Sequence, residues 1–234
     1  MPKPLSTMEV ASASMHLGDL YYNYSPGCQL KGSERVTESK NVKLGEIANI
    51  LNGIPDSKQL DLVNNASAIT YSFIQPNHLG IFNDIQNTLK IKRQTPVDDS
   101  YFIRKNDILL KRLNPDTATL ISDDISNTTF SSNLFVIRVF KDYFPAYIAC
   151  LLESHGIVWL NSNIVGSLAA IKSISTKALA ALDIPAIEYE KQKTIGQMWL
   201  LYKKRKQLLG DLIAEDQRLM AAIINSITAG AKEE

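Results

Sequence analysis

Cysteine is scarce in this 234-residue chain, which carries only Cys28 and Cys150. Neither sits in a C-x-x-C pair, so a cysteine zinc site and a disulfide scaffold are both excluded, and a reducing cytoplasm is the expected setting. Long apolar runs are missing too. The most apolar stretch, 144–160, contains Glu153 and His155 and is too short and polar to span a membrane. Residues 1–19 hold no continuous apolar run after Lys3, so no signal peptide is read there. Net charge is nearly absent at +1, and any nucleic-acid partner must be argued from local charge.

Catalytic signatures are also lacking. There is no G-x-x-x-x-G-K-[ST] loop for nucleotide phosphates and no G-x-G-x-x-G turn. Asn114-Pro115-Asp116-Thr117 starts like the catalytic motif of an adenine methyltransferase but lacks the second proline and the aromatic that stacks on a flipped base, and it reads as a turn. Pro55-Asp56 has no later Glu-x-Lys or Asp-x-Lys to complete a nuclease metal site. His16, His78 and His155 are scattered without ligand spacing and read as surface or packing residues. No enzymatic activity, metal or cofactor is expected of this chain.

What is present is a mixed pattern followed by one very long helix. Residues 1–40 are Ser-rich, then aromatic at Tyr21-Tyr22-Asn23-Tyr24, then polar, and fit an arm, a strand pair or a partly disordered lead equally. Leu44, Ile47, Ala48 and Leu51 predict a short helix closed by Asn52-Gly53. A polar loop runs over 54–66. Strands are predicted over 69–75, 101–103, 108–113, 118–122 and 134–140, a packed helix over 146–153 and a further strand over 171–174. The fold class expected is α/β (α+β), a mixed domain at 41–187 followed by a coiled-coil helix at 188–228 and a tail at 229–234.

That helix, about 40 residues and about 60 Å long, needs a partner along its length. Alternate steps of four and three from Ile195 give Trp199, Tyr202, Lys206, Leu209, Ile213, Asp216, Met220, Ile223 and Ile227, a mostly apolar seam. Lys206 and Asp216 interrupt it, as register-fixing polar residues do. A second stripe of Leu201, Leu208, Leu212 and Leu219 widens the apolar face beyond what one neighbouring helix covers. Gly196 and Gly210 each cost about 1 kcal/mol against Ala in a helix interior, explained either by close backbone approach or by simple tolerance.

Several short motifs in order resemble the DNA-specificity subunit of type I restriction-modification systems. They are Val42-Lys43-Leu44-Gly45-Glu46-Ile47-Ala48, Tyr71-Ser72-Phe73-Ile74, Asn106-Asp107-Ile108-Leu109-Leu110 where that family often has Gly-Asp-Ile-Leu, and Ser132-Asn133. Pro145-Ala146-Tyr147-Ile148 and Leu179-x-x-Leu182-x-Ile184-Pro185 leading into Glu190-Lys191-Gln192 complete the set. The resemblance implies a non-catalytic, cytoplasmic protein that reads double-stranded DNA through a target-recognition domain at 41–187 and holds methyltransferase and restriction subunits in place. Such subunits usually carry two recognition domains and two helices; one of each here implies a half-subunit form that dimerises through 188–228 and reads a bipartite, inverted-repeat site. Residues 1–40 lie outside the resemblance.

The residues offered for DNA contact are chosen on physical grounds. Lys90, Lys92, Arg93, Arg104, Lys105, Lys111 and Arg112 are candidates for phosphates, with a solvated basic face as the plain alternative. Lys58, Gln59, Gln75, Asn77, Arg112 and Asn114 are candidates for base edges, where Arg favours guanine and Asn or Gln adenine. The dimer interface is expected at Ile195, Trp199, Tyr202, Leu209, Ile213, Met220, Ile223 and Ile227. Lys203-Lys204-Arg205-Lys206 points round most of the helix and reads as a solvated face or a contact for an acidic methyltransferase surface rather than for DNA. The competing readings are a protein-interaction module that oligomerises through its long helix, and a fragment of a methyltransferase's recognition region.

Overall fold

The computed structural model describes residues 40–54, 68–162 and 173–230. All fall within one compact unit, Ser39–Glu234. Strand β1 (Asn41–Lys43) pairs antiparallel with β9 (Asp183–Pro185), Val42 opposite Ile184, so the chain enters and leaves the domain side by side. The pair is closed by Ala186 N–H donating to Lys40 O at 2.9 Å and by the Lys43 ammonium 2.7 Å from Asp183.

The helix expected over Leu44, Ile47, Ala48 and Leu51, closed by Asn52-Gly53, stops after one turn. Helix α1 spans Leu44–Ile47, and Ala48 turns extended at φ −150°, ψ 147°. Strand β2 (Ala48–Asn52) then pairs with β8 (Leu134–Val139), Ala48 opposite Val139 and Asn52 opposite Phe135. Pairing to a buried neighbour satisfies five residues of backbone that an isolated turn of helix leaves open, and it overrides the local spacing. Gly53 closes the strand, and a Cβ there would run into the carbonyls of Phe130 and Ser131.

The four-stranded sheet has the order β2-β8-β5-β6, with β5 at Ile108–Lys111 and β6 at Ala118–Leu120. Its central strands are covered on both faces. Ile108, Leu110, Phe135 and Ile137 pack against helix α2 (Pro145–Leu151) and the segments that follow it. On the other face, Leu109, Leu134 and Val136 meet Ile74 and Phe130 of a second sheet. This double cover is why β5 reads as a continuous apolar run rather than an alternation, and each such side chain contributes about 1.5–3 kcal/mol of burial.

The second sheet has the order β4-β3-β7. Strand β3 (Ile69–Ile74) lies where expected, but β4 (Leu89–Arg93) and β7 (Thr128–Phe130) were not anticipated. Strand β3 runs antiparallel to β4 and parallel to β7. The strand expected at 101–103 is a 3-10 turn, Asp99–Tyr101, capped by Asp98 accepting from Ser100 N–H at 2.9 Å, followed by a single bridge from Phe102 to Thr129. Of the strand expected at 171–174, residues 171 and 172 lie outside the described residues, and Ser173 makes one bridge, to Leu113.

Helix α2 runs through a π turn, Leu152–Gly156, into α3 (Ile157–Ser162). The short α4 (Thr176–Ala180), capped by Ser175, leads to β9. The long helix is α5, Tyr189–Gly230, 42 residues. Residues 1–39, with the expected lead, are outside the described residues.

Candidate nucleic-acid interface and the helix that carries it

The antiparallel register of β3 and β4 sorts the basic residues onto two faces. Ser72 lies opposite Lys90 and Thr70 opposite Lys92, while Ile69 lies opposite Arg93 and Tyr71 opposite Ile91. Side chains alternate across a strand, so Thr70, Ser72, Lys90 and Lys92 share one face. Tyr71 and Ile91 sit on the other, packed with Ile54 and Val97. The Lys90 ammonium donates to Ser72 Oγ at 2.7 Å, and both lysines are exposed. Arg93 belongs to the inward face and is half-buried.

The same sheet extends beyond β7. Ile103 N–H donates to Thr128 O at 2.9 Å, and Phe102 bridges Thr129. That brings the exposed turn of Arg104 and Lys105 to the far side of the sheet from β4, three strand spacings or about 14 Å away. Arg104 pairs with Asp99 on the surface. Next to this turn Asp107, 1% exposed, accepts from Arg138 Nε at 2.8 Å and Nη2 at 2.7 Å, and from Arg104 N–H at 2.8 Å. The hydrogen bonds that Arg138 donates to Asp107 outweigh the cost of burial and hold the guanidinium above its usual pKa. Asn106 before it adopts φ 70°, a left-handed conformation open to Asn and Gly; the Asn106-Asp107 pair is therefore a turn followed by a buried anchor.

Other candidates are occupied within the domain. Lys111 is 2.9 Å from Asp116. Arg112 donates to Asn52 Oδ1 and its guanidinium lies 4.5 Å from the Phe135 ring centroid, which commits it to the core edge. Asn114 is exposed at φ 44°, in the turn that follows β5. Gln75 and the exposed Asn77 stand at the end of β3, around the 3-10 turn Pro76–His78, where His78 Nδ1 accepts from Gln75 N–H at 3.2 Å. Lys58 and Gln59 lie outside the described residues.

Helix α5 divides into two parts. Its first part packs on the domain through Gln192, Gly196, Trp199 and Lys203, all buried. Gln192 accepts from Phe144 N–H at 3.0 Å and donates to Ile187 O at 2.8 Å. A Cβ on Gly196 would lie 2.6 Å from Phe144 Cδ1 and 2.8 Å from Tyr147 N, so close approach explains this glycine. Gly210 meets only Phe82 at 3.9 Å, and there tolerance is the explanation. Tyr147 donates to Pro185 O at 2.8 Å, and burial pushes its phenol up to about 12.

Lys203 is the largest departure from the sequence reading. It is buried, 3% exposed, and not part of a solvated or partner-facing run. Its ammonium lies 2.7 Å from Glu153 Oε2 in the π turn, and it donates to Ile81 O at 2.6 Å and Thr117 Oγ1 at 3.2 Å. Trp199, placed on the outward seam from spacing alone, is 8% exposed and belongs to the core of its own domain. The signal was the spacing of Gln192, Gly196, Trp199 and Lys203, which hydropathy does not reveal because only one of the four is apolar.

The outward residues remain uncovered. Tyr202, Leu209, Ile213, Met220, Ile223 and Ile227 are exposed, and Ile195 is 38% exposed. Leu201, Leu208, Leu212 and Leu219 are exposed as well. Two adjacent apolar stripes thus lie open along the distal part of one helix. Among the described residues no three His, Cys, Asp or Glu gather as a metal site, and no helix is long and apolar enough to cross a membrane.

No protein-family model matches the sequence, and no curated protein does. Solved structures do match. One, from work on complex assembly and conformational transition of the type I R-M system, aligns at TM-score 0.53 and 19% identity over 80% of this chain and 44% of that one. The type I restriction-modification S subunit from M. genitalium aligns at TM-score 0.50 and 14% identity, over 76% of this chain and 42% of that one. The HsdS subunit from Thermoanaerobacter tengcongensis aligns at 0.49 and 19%, over 76% and 42%. This chain spans less than half the length of each. Over that span it has the fold of a type I restriction-modification S subunit, one mixed α/β domain carried on one long helix.

Proposed function

We propose that this chain is a non-catalytic DNA-specificity component of a type I restriction-modification system. The observation that carries the reading is the shared fold, a single mixed domain seated on the first part of a 42-residue helix whose remainder is open. In this reading the domain at 41–187 is the target-recognition unit, and 188–228 is the spacer and docking helix. Two copies, paired through the open side of α5, read the two halves of an inverted-repeat site and hold methyltransferase and restriction subunits.

The geometry supports one basic surface for phosphate contact: Lys90 and Lys92 on the outward face of β3 and β4, with Arg104 and Lys105 across the same sheet. Hydroxyls at Thr70 and Ser72 lie opposite Lys92 and Lys90 in register and add neutral donors. Base reading falls to the turns at the strand ends, where Gln75, Asn77 and Asn114 are available. Edge-strand lysines also serve to block strand addition, and the salt dependence of DNA binding by a Lys90 and Lys92 double variant separates the two roles. Arg112 supports the domain instead of reading a base.

The test is functional. Purified chain mixed with the methyltransferase subunit encoded beside it directs adenine methylation to one specific sequence. Methylation that is absent, or indifferent to sequence, sinks the reading and favours the protein-interaction module.

A further inference from the structure

The covered line along α5 does not stop at Lys203. Gln192, Gly196, Trp199 and Lys203 are followed, at steps of three and four, by half-buried Lys206, Gln207, Gly210 and Ala214, while Leu208, Leu209 and Leu212 among them are exposed. At two points on this line the loop that joins β3 to β4 meets the helix. Lys203 donates to Ile81 O at 2.6 Å, and two turns further on the Phe82 ring stands beside Gly210, 3.9 Å from where a Cβ would lie.

The loop is tied to itself throughout. Leu79 bridges Ile85, Gly80 N–H donates to Asp84 O and Gln86 N–H to His78 O, both at 2.9 Å. The Asp84 carboxylate accepts from Phe82 N–H at 3.2 Å and from the Gln86 amide, and a Cβ on Gly80 would strike it. Asn83, held at φ 65°, accepts from Leu120 N–H at 3.1 Å, which fastens the loop to the end of β6 as well. Bending the loop breaks these bonds, so it moves as a unit.

Its far end is β4. Among the described residues that strand pairs with β3 alone, at the edge of its sheet, and Lys90 and Lys92 are exposed on it. We propose that the loop over 79–87 braces the β3–β4 hairpin against α5, and that Phe82 is a positioning residue that sets where Lys90 and Lys92 stand relative to the helix. The consequence for DNA contact rests on the proposed DNA reading, whereas the brace itself does not.

Phe82 suits this part. It is half-buried, and it lies against the helix at a residue with no side chain, where a ring can come close to the backbone. Its truncation removes a contact without stranding a charge, as truncation of Lys203 would. The brace is therefore separable from the seat of the helix on α2.

F82A, read by hydrogen exchange and by titration of a mixed-sequence DNA duplex, tests the assignment, with F82L as the conservative variant. Amides of 79–93 exchange about tenfold faster in F82A, while those of β5 and β8 exchange as in wild type. If the hairpin then holds its binding position about one fifth of the time, binding weakens about fivefold. F82L restores both measurements. In a K90A/K92A background F82A has no further effect on binding, a non-additivity that a general loss of fold does not produce. Exchange that is unchanged in F82A overturns the brace, and acceleration that spreads to β5 and β8 overturns it too, because Phe82 then serves the whole fold. Faster exchange with binding undiminished, where K90A/K92A does weaken it, overturns the positioning role. A K90A/K92A variant that binds DNA as wild type does fails the DNA reading instead, and the exchange rates then decide the brace by themselves.

Discussion

Lys203, on the long helix, sets its ammonium 2.7 Å from Glu153 Oε2 in the π turn that joins α2 to α3. The pair fixes the rotation of α5 on its domain, because the same ammonium also holds Ile81 O and Thr117. Removing one partner of a buried pair leaves the other charge without compensation, so K203A is expected to lose about 3 kcal/mol in urea unfolding. Replacing both, as K203M with E153L, is expected to cost much less. Burial raises the Glu153 carboxyl above 4.5, opposed by Lys203. A raised carboxyl makes the folded state bind its proton more readily than the unfolded chain, so this group's contribution declines as pH rises above 4.5. Without Lys203 the carboxyl rises further, and the deficit of K203A shrinks as pH is lowered.

The two helix glycines should respond with opposite signs. G196A forces a methyl against Phe144 and the Tyr147 backbone and lowers the thermal midpoint. G210A finds only Phe82 at van der Waals distance and gains about 1 kcal/mol of helix propensity. Two melting curves decide it.

This contrast marks where local sequence is informative and where it stops. The strands β3, β5, β6 and β8 were legible because β-branched and aromatic residues cluster there, and α5 was legible because 3.6-residue periodicity persists across its whole length. Helix α1 was overextended since Leu44, Ile47, Ala48 and Leu51 fit a helix, and only the distant β8 makes Ala48 extended. Strand β4 hid behind its lysines. Leu89-Lys90-Ile91-Lys92 alternates as a strand does, but lysines at every second position give the same signal as a solvated basic face. The seat of α5 was invisible because its contacts are an amide, a glycine, an indole and an ammonium, a set that coheres only when Phe144, Glu153 and Thr117 are placed against it. For the candidate interface, the basic residues were found but their division was not: register alone separates Lys90 and Lys92 from Arg93, and tertiary contact alone removes Arg112.

That division predicts distinct outcomes in DNA binding. K90A with K92A should leave stability unchanged, weaken binding to all sequences, and reduce the slope of log K against log salt by about 1.8 in magnitude. R112A instead disrupts contacts to Asn52 and Phe135 and should lower stability with no characteristic change in salt slope. Anisotropy titrations over a salt series, beside thermal melts, distinguish the two.

Tyr147 offers a spectroscopic check on the α2–α5 junction. Its phenol is pushed up to about 12 from 10.0 by burial. A phenol raised in the folded state stabilises fully below 10, and that contribution is lost as pH rises toward 12. Alkaline difference spectra should therefore show one tyrosine ionising late, together with unfolding. Y147F removes the bond to Pro185 O, costs about 1 kcal/mol and abolishes the late component.

The central claim, that two copies of this domain read DNA from the ends of paired helices, is tested most directly by sequencing methylated bases in a host carrying this chain with its methyltransferase subunit. The account predicts adenine methylation at a single bipartite sequence, two inverted half-sites around an unread spacer. Methylation at a continuous or asymmetric site, or at none, would contradict it.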